Sequence, residues 1–166
     1  MNESMIEFVD VEKYMNLIRV ADRLWLQDPG MAADLYSQAN ALYDKLLPEL
    51  PYLDWLEQRR EYLLEKQTFV LHKLGKAAEK ERQFDQAESY YRRWIELRPY
   101  QEDAYQAMMK LLVLIGRHKE AERWYGKLAD VCRMELNASP SEETKRIISY
   151  QQHKAFNTPH AKDESD

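Results

Sequence analysis

The stretch RQFDQAESYYRRWIELRP at residues 82–99 is followed by GRHKEAERWYGKLADVCR at residues 116–133, so the chain states nearly the same pattern twice. A shift of 34 residues superposes Ala87 on Ala121, Glu88 on Glu122, Tyr91 on Tyr125 and apolar Trp94 on apolar Leu128. No other feature constrains the fold so tightly. Each copy of a repeat this size is one supersecondary unit that cannot bury its apolar face alone, so neighbouring copies must stack into a continuous core. The period of 34 fits a helix–turn–helix unit.

The rest of the chain agrees with an all-α fold. Four glycines and six prolines leave little turn chemistry for a sandwich or barrel. Val11, Met15, Ile18 and Leu26 fall near helical spacing behind Asp10 as a cap, and Asp28, Pro29 and Gly30 stop that helix. From Met31 to Leu47, Leu35, Ala39, Leu42, Tyr43 and Leu46 describe a second helix, folded back antiparallel and ended by Pro48 and Pro51. A long third helix starts near Tyr52, with Trp55, Leu56, Tyr62, Leu63, Leu71, Leu74 and Ala78 on its apolar side. Gly75 inside it costs roughly 1 kcal/mol relative to alanine, which predicts close packing by a neighbour. Three helices follow at 84–97, 101–115 and 118–136, and SPSEETKRIISY makes a short last one capped by Ser139 or Ser141. Residues 153–166 read as a polar tail.

Leu71, Leu74, Gly75, Ala78, Phe84, Ala87, Tyr91, Trp94 and Pro99 resemble the signature positions of the tetratricopeptide repeat. Tyr105, Met108, Leu112, Gly116, Ala121, Tyr125 and Leu128 keep most of it in the second copy, with Arg133 where the closing proline belongs. Ala39, Tyr43, Leu46 and Pro51 repeat the spacing of Ala87, Tyr91, Trp94 and Pro99 at an offset of 48, which gives a third hairpin. The expected architecture is therefore three antiparallel hairpins and a cap helix, about seven helices stacked as a tetratricopeptide-like right-handed superhelix. The shared alanines and tyrosines are packing residues in this reading, not a pair of sites.

A more specific resemblance covers residues 10–150. SQANALYDKLLPELPYLDWLEQRREYL, through Ala41, Leu42, Tyr43, Leu46, Leu47, Pro48, Trp55 and Arg59, is similar to the central signature of the bacterial transcriptional activator domain of antibiotic-regulatory-protein type regulators. RPYQEDAYQAMMKLLVLIGRHKEAERWY and ELNASPSEETKRI resemble its later signatures, while Lys45 stands where many members carry glycine. In that family a winged-helix DNA-binding domain runs through its last strand into this domain. The resemblance thus implies that Ile6, Phe8 and Val9 are a strand remnant, Asp10 is the junction, residues 1–9 are a linker and residues 10–152 are the activator domain. It also implies a C-terminal piece of a larger regulator, with a two-component response regulator as one origin and the polar tail as a natural end without an ATPase domain behind it.

Charge and chemistry narrow the function classes. Residues 1–56 hold 10 acidic and 4 basic side chains, residues 57–154 hold 16 and 19, and the last twelve hold 3 and 1. A mildly basic middle lacks the dense Lys/Arg face that displaces counterions, so the chain is a poor candidate for binding DNA unaided. The resemblance implies that DNA is contacted only through a domain absent from this chain. No apolar run of spanning length and no secretory leader pattern is present, which predicts a cytoplasmic protein without membrane contact. Cys132 lies among Ala129, Val131 and Met134 as a buried inert thiol. His118 and Glu122 share a helix face without a third ligand, and His72, His153 and His160 form no constellation. Trp25, Trp55, Trp94 and Trp124 read as packing residues. With no phosphate loop, nucleophile triad or paired acid motif, the expectation is a non-enzyme with no catalytic, metal or cofactor residues.

A binding surface is the better-supported expectation. In tetratricopeptide arrays the first helix of each unit lines a groove, and the matching positions here include Phe69, His72, Lys76, Glu79 and Lys80, then Asp103, Gln106, Lys110, Val113 and Leu114. His72, Lys76, Lys80 and Lys110 favour an acidic segment or a carboxylate. The expected partners are RNA polymerase, the chain's own DNA-binding domain or a second protomer in a homodimer. The alternative is a stand-alone tetratricopeptide adaptor or peptide sensor, and the upstream coding sequence separates the two.

Overall fold

Asp28 decides where the first helix stops and the second starts. Its backbone N–H donates to the Leu24 carbonyl at 2.7 Å, and its side-chain Oδ1 accepts the Met31 N–H at 3.0 Å. One residue thus closes α1 (Glu3–Leu24) and caps α2 (Pro29–Leu46). Pro29 and Gly30 belong to α2 and not to the stop, since proline at a first helical position lacks an N–H that would have no partner there. Leu26, expected on the apolar face of the first helix, lies beyond its end and is 90% exposed.

The computed structural model describes residues 3–46 and 57–156. Among the described residues there are seven helices and no strand, the all-helical class read from the sequence. After α2 come α3 (Glu57–Lys80), α4 (Phe84–Leu97), α5 (Glu102–Leu114), α6 (His118–Glu135) and α7 (Glu142–Phe156). The expected stops at Leu47, Pro48 and Pro51, the start near Tyr52 and the packing role of Trp55 lie outside the described residues. Two expectations at the ends need correction. Ile6, Phe8 and Val9 are helical rather than extended: α1 begins seven residues before Asp10, since no proline or glycine interrupts residues 3–10 and a helix satisfies its own backbone without a neighbouring strand. The last helix likewise continues past Tyr150 and position 152 to Phe156.

The helices form two compact units, Met1–Pro99 and Tyr100–Asp166. In the first, α1 packs on α2 and α3 on α4 as hairpins, and α2 packs on α3. Short connections make each hairpin antiparallel. The core runs through Val11, Tyr14, Ile18, Ala32, Tyr36, Tyr43, Leu63 and Leu74.

The helix starts reveal the true register of the repeat. Ala87 and Tyr91 sit three and seven residues after Phe84, and Ala121 and Tyr125 hold the same places after His118. In α2, counted from Pro29, those places belong to Ala32 and Tyr36, not to the expected Ala39 and Tyr43. Ala32 and Ala87 are fully buried at their crossings. Tyr36 donates its hydroxyl to Asp22 of α1, and Tyr91 donates its hydroxyl to Glu79 of α3. Each second helix of the first unit is therefore latched to its first helix by a tyrosine–carboxylate bond.

Gly75 confirms the close packing expected of it. A Cβ built there would lie 2.2 Å from Cε1 of Tyr91, so the tyrosine ring occupies the space that a side chain would need. In the second copy, 34 residues on, Met109 stands in place of Gly75 and Val113 in place of Glu79. Tyr125 is correspondingly only half-buried, whereas Tyr91 is fully buried.

The joints of the two copies are closed by the same backbone motif. The Gln83 N–H reaches the Ala78 carbonyl at 2.8 Å and the Arg82 N–H reaches Glu79 at 3.0 Å; Arg117 to Leu112 at 2.8 Å and Gly116 to Val113 at 3.1 Å repeat the pattern. These paired bonds place Arg82 (φ 59°) and Gly116 (φ 80°) in the left-handed conformation that ends a helix. A Cβ makes that conformation costly, so Arg82→Gly is expected to raise stability by up to about 1 kcal/mol and Gly116→Ala to lower it by about the same amount. Urea unfolding checks both, and two unchanged midpoints would contradict the left-handed assignment.

In the second unit α7 packs on both α5 and α6. Glu102, in the first turn of α5, accepts the Ser141 N–H at 2.8 Å, the Ser141 hydroxyl at 2.6 Å and the Thr144 hydroxyl. Ser141, and not Ser139, caps α7 by accepting the Thr144 N–H at 3.2 Å. Burial works to raise the Glu102 pKa, but the hydrogen bonds from Ser141 and Thr144 outweigh it and hold the carboxyl below its ordinary value. A depressed carboxylate contributes stability above its unfolded pKa and loses it as pH falls through the folded one. Glu102→Ala is thus expected to cost about 1–3 kcal/mol at neutral pH, leaving buried Thr144 without its acceptor, and less at an acid pH below the folded pKa. Denaturation of both proteins at the two pH values measures the difference; an equal cost at both would remove the carboxylate from the account.

Candidate interaction groove

A chain of buried polar groups sets α1 against α3. The Tyr14 hydroxyl donates to Gln67 Oε1 at 3.1 Å, and Gln67 Nε2 donates to Asn40 Oδ1 at 2.6 Å. Tyr14 and Gln67 are both almost wholly buried, so breaking either bond would leave a polar atom with neither water nor partner. This network fixes the spacing of the first helices of the two hairpins in the first unit.

Between those helices lies a cavity of about 1270 Å³, lined along α1 from Val11 to Arg23 and along α3 by Tyr62, Leu63 and Lys66. Val11, Ile18 and Leu63 are buried and form its apolar base, while Met15 is half-buried and Tyr62 is 47% exposed. Lys13, Arg19, Arg23 and Lys66 supply cations, against Glu12 and Asp22. Asp22 already accepts the Tyr36 hydroxyl, and Arg19 donates to Asn16 Oδ1 at 2.6 Å. Lys66 Nζ lies 5.2 Å above the Tyr62 ring. The ion pairs of this unit fall elsewhere, at Lys76–Glu79, Arg92–Glu88, Arg93–Asp44, Arg93–Glu96 and Arg98–Glu61; among the described residues none of the four groove cations takes part in one.

The residues singled out from the sequence take several positions. Phe69 is 38% exposed and packs edge-on against Tyr36 with ring centres 6.2 Å apart. Lys73 lies over both Phe69 and Trp25, at 5.3 and 4.4 Å. His72 is half-buried, its ring 5.2 Å from that of Trp94. Lys76 is exposed and paired with Glu79 at 3.1 Å, and Lys80 is exposed in the last turn of α3. In the second unit Lys110 reaches Glu143 of α7 at 3.5 Å, and Val113 is half-buried. Gln106 differs from the open position expected of it. It is only 8% exposed, because α7 lies beside α5 and the Gln106 amide donates to Thr144 Oγ1 at 2.9 Å.

None of these residues lines the α1–α3 cavity. The lining comes instead from polar positions of α1 that the sequence reading did not single out, and from Val11, Met15, Ile18, Tyr62 and Leu63, which it placed on apolar helix faces. The signal was present in the spacing of Glu12, Asn16, Arg19 and Arg23, which share one helix face.

The remaining reactive groups are placed as follows. Cys132 is buried, and burial raises its thiol pKa, with the negative charge of Glu102 adding to the effect. His118 and Glu122 are exposed, and among the described residues no group of three or more His, Cys, Asp or Glu is gathered as a metal site. Trp25 packs on Tyr36 and Trp124 on Tyr105, in edge-on geometry. Among the described residues no helix is long and apolar enough to cross a membrane. No curated protein matches the chain. A family model does: residues 9–150, from the second turn of α1 well into α7, match the bacterial transcriptional activator domain, and the chain belongs to that family.

Proposed function

We propose that this domain is the protein-interaction and activation module of a bacterial DNA-binding transcription regulator, lying C-terminal to a winged-helix domain that supplies the DNA contact. Family membership supports a transcriptional activator-type domain. The observation that carries the interaction role is the groove between α1 and α3: an apolar base, a half-exposed Met15 and Tyr62, and cations whose charges are left for a partner. Its occupant is RNA polymerase, the regulator's own DNA-binding domain or a second copy of this chain. A two-component regulator with a receiver ahead of the winged helix is the parent architecture we favour.

Fusion of residues 1–166 to an unrelated bacterial DNA-binding domain tests the reading. With the matching operator placed upstream of a reporter promoter, output is expected to rise several-fold over that given by the unrelated domain alone. Co-purification with polymerase and sedimentation of the isolated chain report on the first and third occupants. A fusion that leaves the reporter unchanged, captures no polymerase and does not self-associate overturns the proposal.

A further inference from the structure

We infer that the α1–α3 groove receives an acidic segment of a partner protein, with one apolar side chain seated over Met15 and Tyr62 and carboxylates set against Arg19, Arg23 and Lys66. The inference rests on the interaction-module reading and names the chemistry of its occupant.

Size argues against a small molecule. The cavity measures about 1270 Å³, beyond the roughly 300–1,000 Å³ typical of small-ligand pockets. Sign argues for an acid. Four cations line the groove, none is in an ion pair among the described residues, and Asp22 is already engaged by the Tyr36 hydroxyl. The lining carboxylates are Glu12 and Asp22, two against the four cations, so the groove keeps an excess of positive charge.

Geometry also separates a peptide from a nucleic acid. Phosphate-backbone binding favours a dense, continuous Lys and Arg surface, whereas here Glu12 and Asp22 interrupt the row. A peptide places its carboxylates at intervals and leaves apolar side chains for Met15 and Tyr62. The half-exposed Tyr62, with Lys66 above its ring, offers one surface for both an apolar contact and a charge-assisted one.

Fluorescence anisotropy of the full chain tests this with three labelled probes: a mixed set of Asp/Glu-rich peptides carrying a Leu or Phe anchor, the same peptides with Lys in place of the acids, and a short DNA duplex. Only the acidic set is expected to bind, and its affinity is expected to fall with added salt because the groove cations are solvent-facing. Arg19→Glu combined with Lys66→Glu should weaken binding by at least about tenfold, Lys66→Gln by less, and Arg123→Glu in the second unit not at all. Circular dichroism of each variant confirms that the helices are intact.

No binding of the acidic set, equal binding of the Lys-substituted set or of the duplex, or indifference to the double charge reversal each overturns the assignment. The reporter fusion keeps the two proposals apart. A double variant that loses the peptides but keeps full activation removes the groove and leaves the module, whereas a silent wild-type fusion removes the module itself.

Discussion

Gly75→Ala is expected to destabilise the first unit by about 2 kcal/mol, although alanine is the better helix former by roughly 1 kcal/mol. The new Cβ would lie 2.2, 2.6 and 2.9 Å from three atoms of the Tyr91 ring, each inside the range that real Cβ contacts avoid. Retreat is blocked, because the ring is fully buried and its hydroxyl is held by Glu79. Overpacking of this kind typically costs about 1–3 kcal/mol, and here it exceeds the gain in helix propensity. Gly126 in α6 supplies the opposite case, since a Cβ there would meet nothing within 4 Å. Gly126→Ala should therefore raise stability by up to about 1 kcal/mol. Opposite shifts of the thermal midpoint are the expected result; a rise for both variants would mean that Tyr91 does not lie over Gly75.

The second large effect is a steep loss of structure in alkali. Tyr14, Tyr36, Tyr43 and Tyr91 are each at most 1% exposed. Burial raises all four pKa values, that of Tyr43 to about 12 even though the Arg93 charge pulls it down. Hydrogen bonds to Asp22 and Glu79 push Tyr36 and Tyr91 further in the same direction. The unfolded chain releases these protons near pH ~10 while the folded chain retains them, so stability is complete below that pH and falls above it. At pH ~11 each tyrosine removes about 1.4 kcal/mol, and four remove about 5–6 kcal/mol, comparable with the low end of the total stability of a domain. The first unit should therefore unfold between about pH 11 and 12, with tyrosinate absorbance and loss of helical circular dichroism rising together. Ionisation of these tyrosines with the helices intact would show that they are not enclosed.

The sequence made the second half of the repeat legible almost to the residue. The expected helices 84–97, 101–115 and 118–136 are observed as Phe84–Leu97, Glu102–Leu114 and His118–Glu135. Two copies of one pattern locate each other, and each joint is fixed by local backbone bonds. The first hairpin had no such check. Ala39 and Tyr43 lie seven residues beyond Ala32 and Tyr36, which is close to two helical turns, so both pairs face the core and composition cannot choose between them. What decides is the reach of Tyr36 to Asp22, a tertiary fact. The groove was hidden for a related reason. Whether Arg19 and Arg23 face open solvent or a cavity depends on where α3 lies, and a single helix carries no record of its neighbour's position. Gln106 shows the converse, since its burial follows from the bond with Thr144 on α7, 38 residues away.

Met109 and Val113 carry a consequence for how such a chain can be altered. The two copies share an outline, yet the tyrosine of one rests on a bare backbone and grips a carboxylate, while the other copy carries a thioether and a branched alkyl group at the corresponding sequence positions. The hairpins are therefore not interchangeable parts. Transplanting α4 in place of α6 would drive its ring toward Met109 and offer its hydroxyl no acceptor at Val113. Any lengthening or shortening of this array that keeps the 34-residue rhythm must also carry the first helix and the second together, as a matched pair.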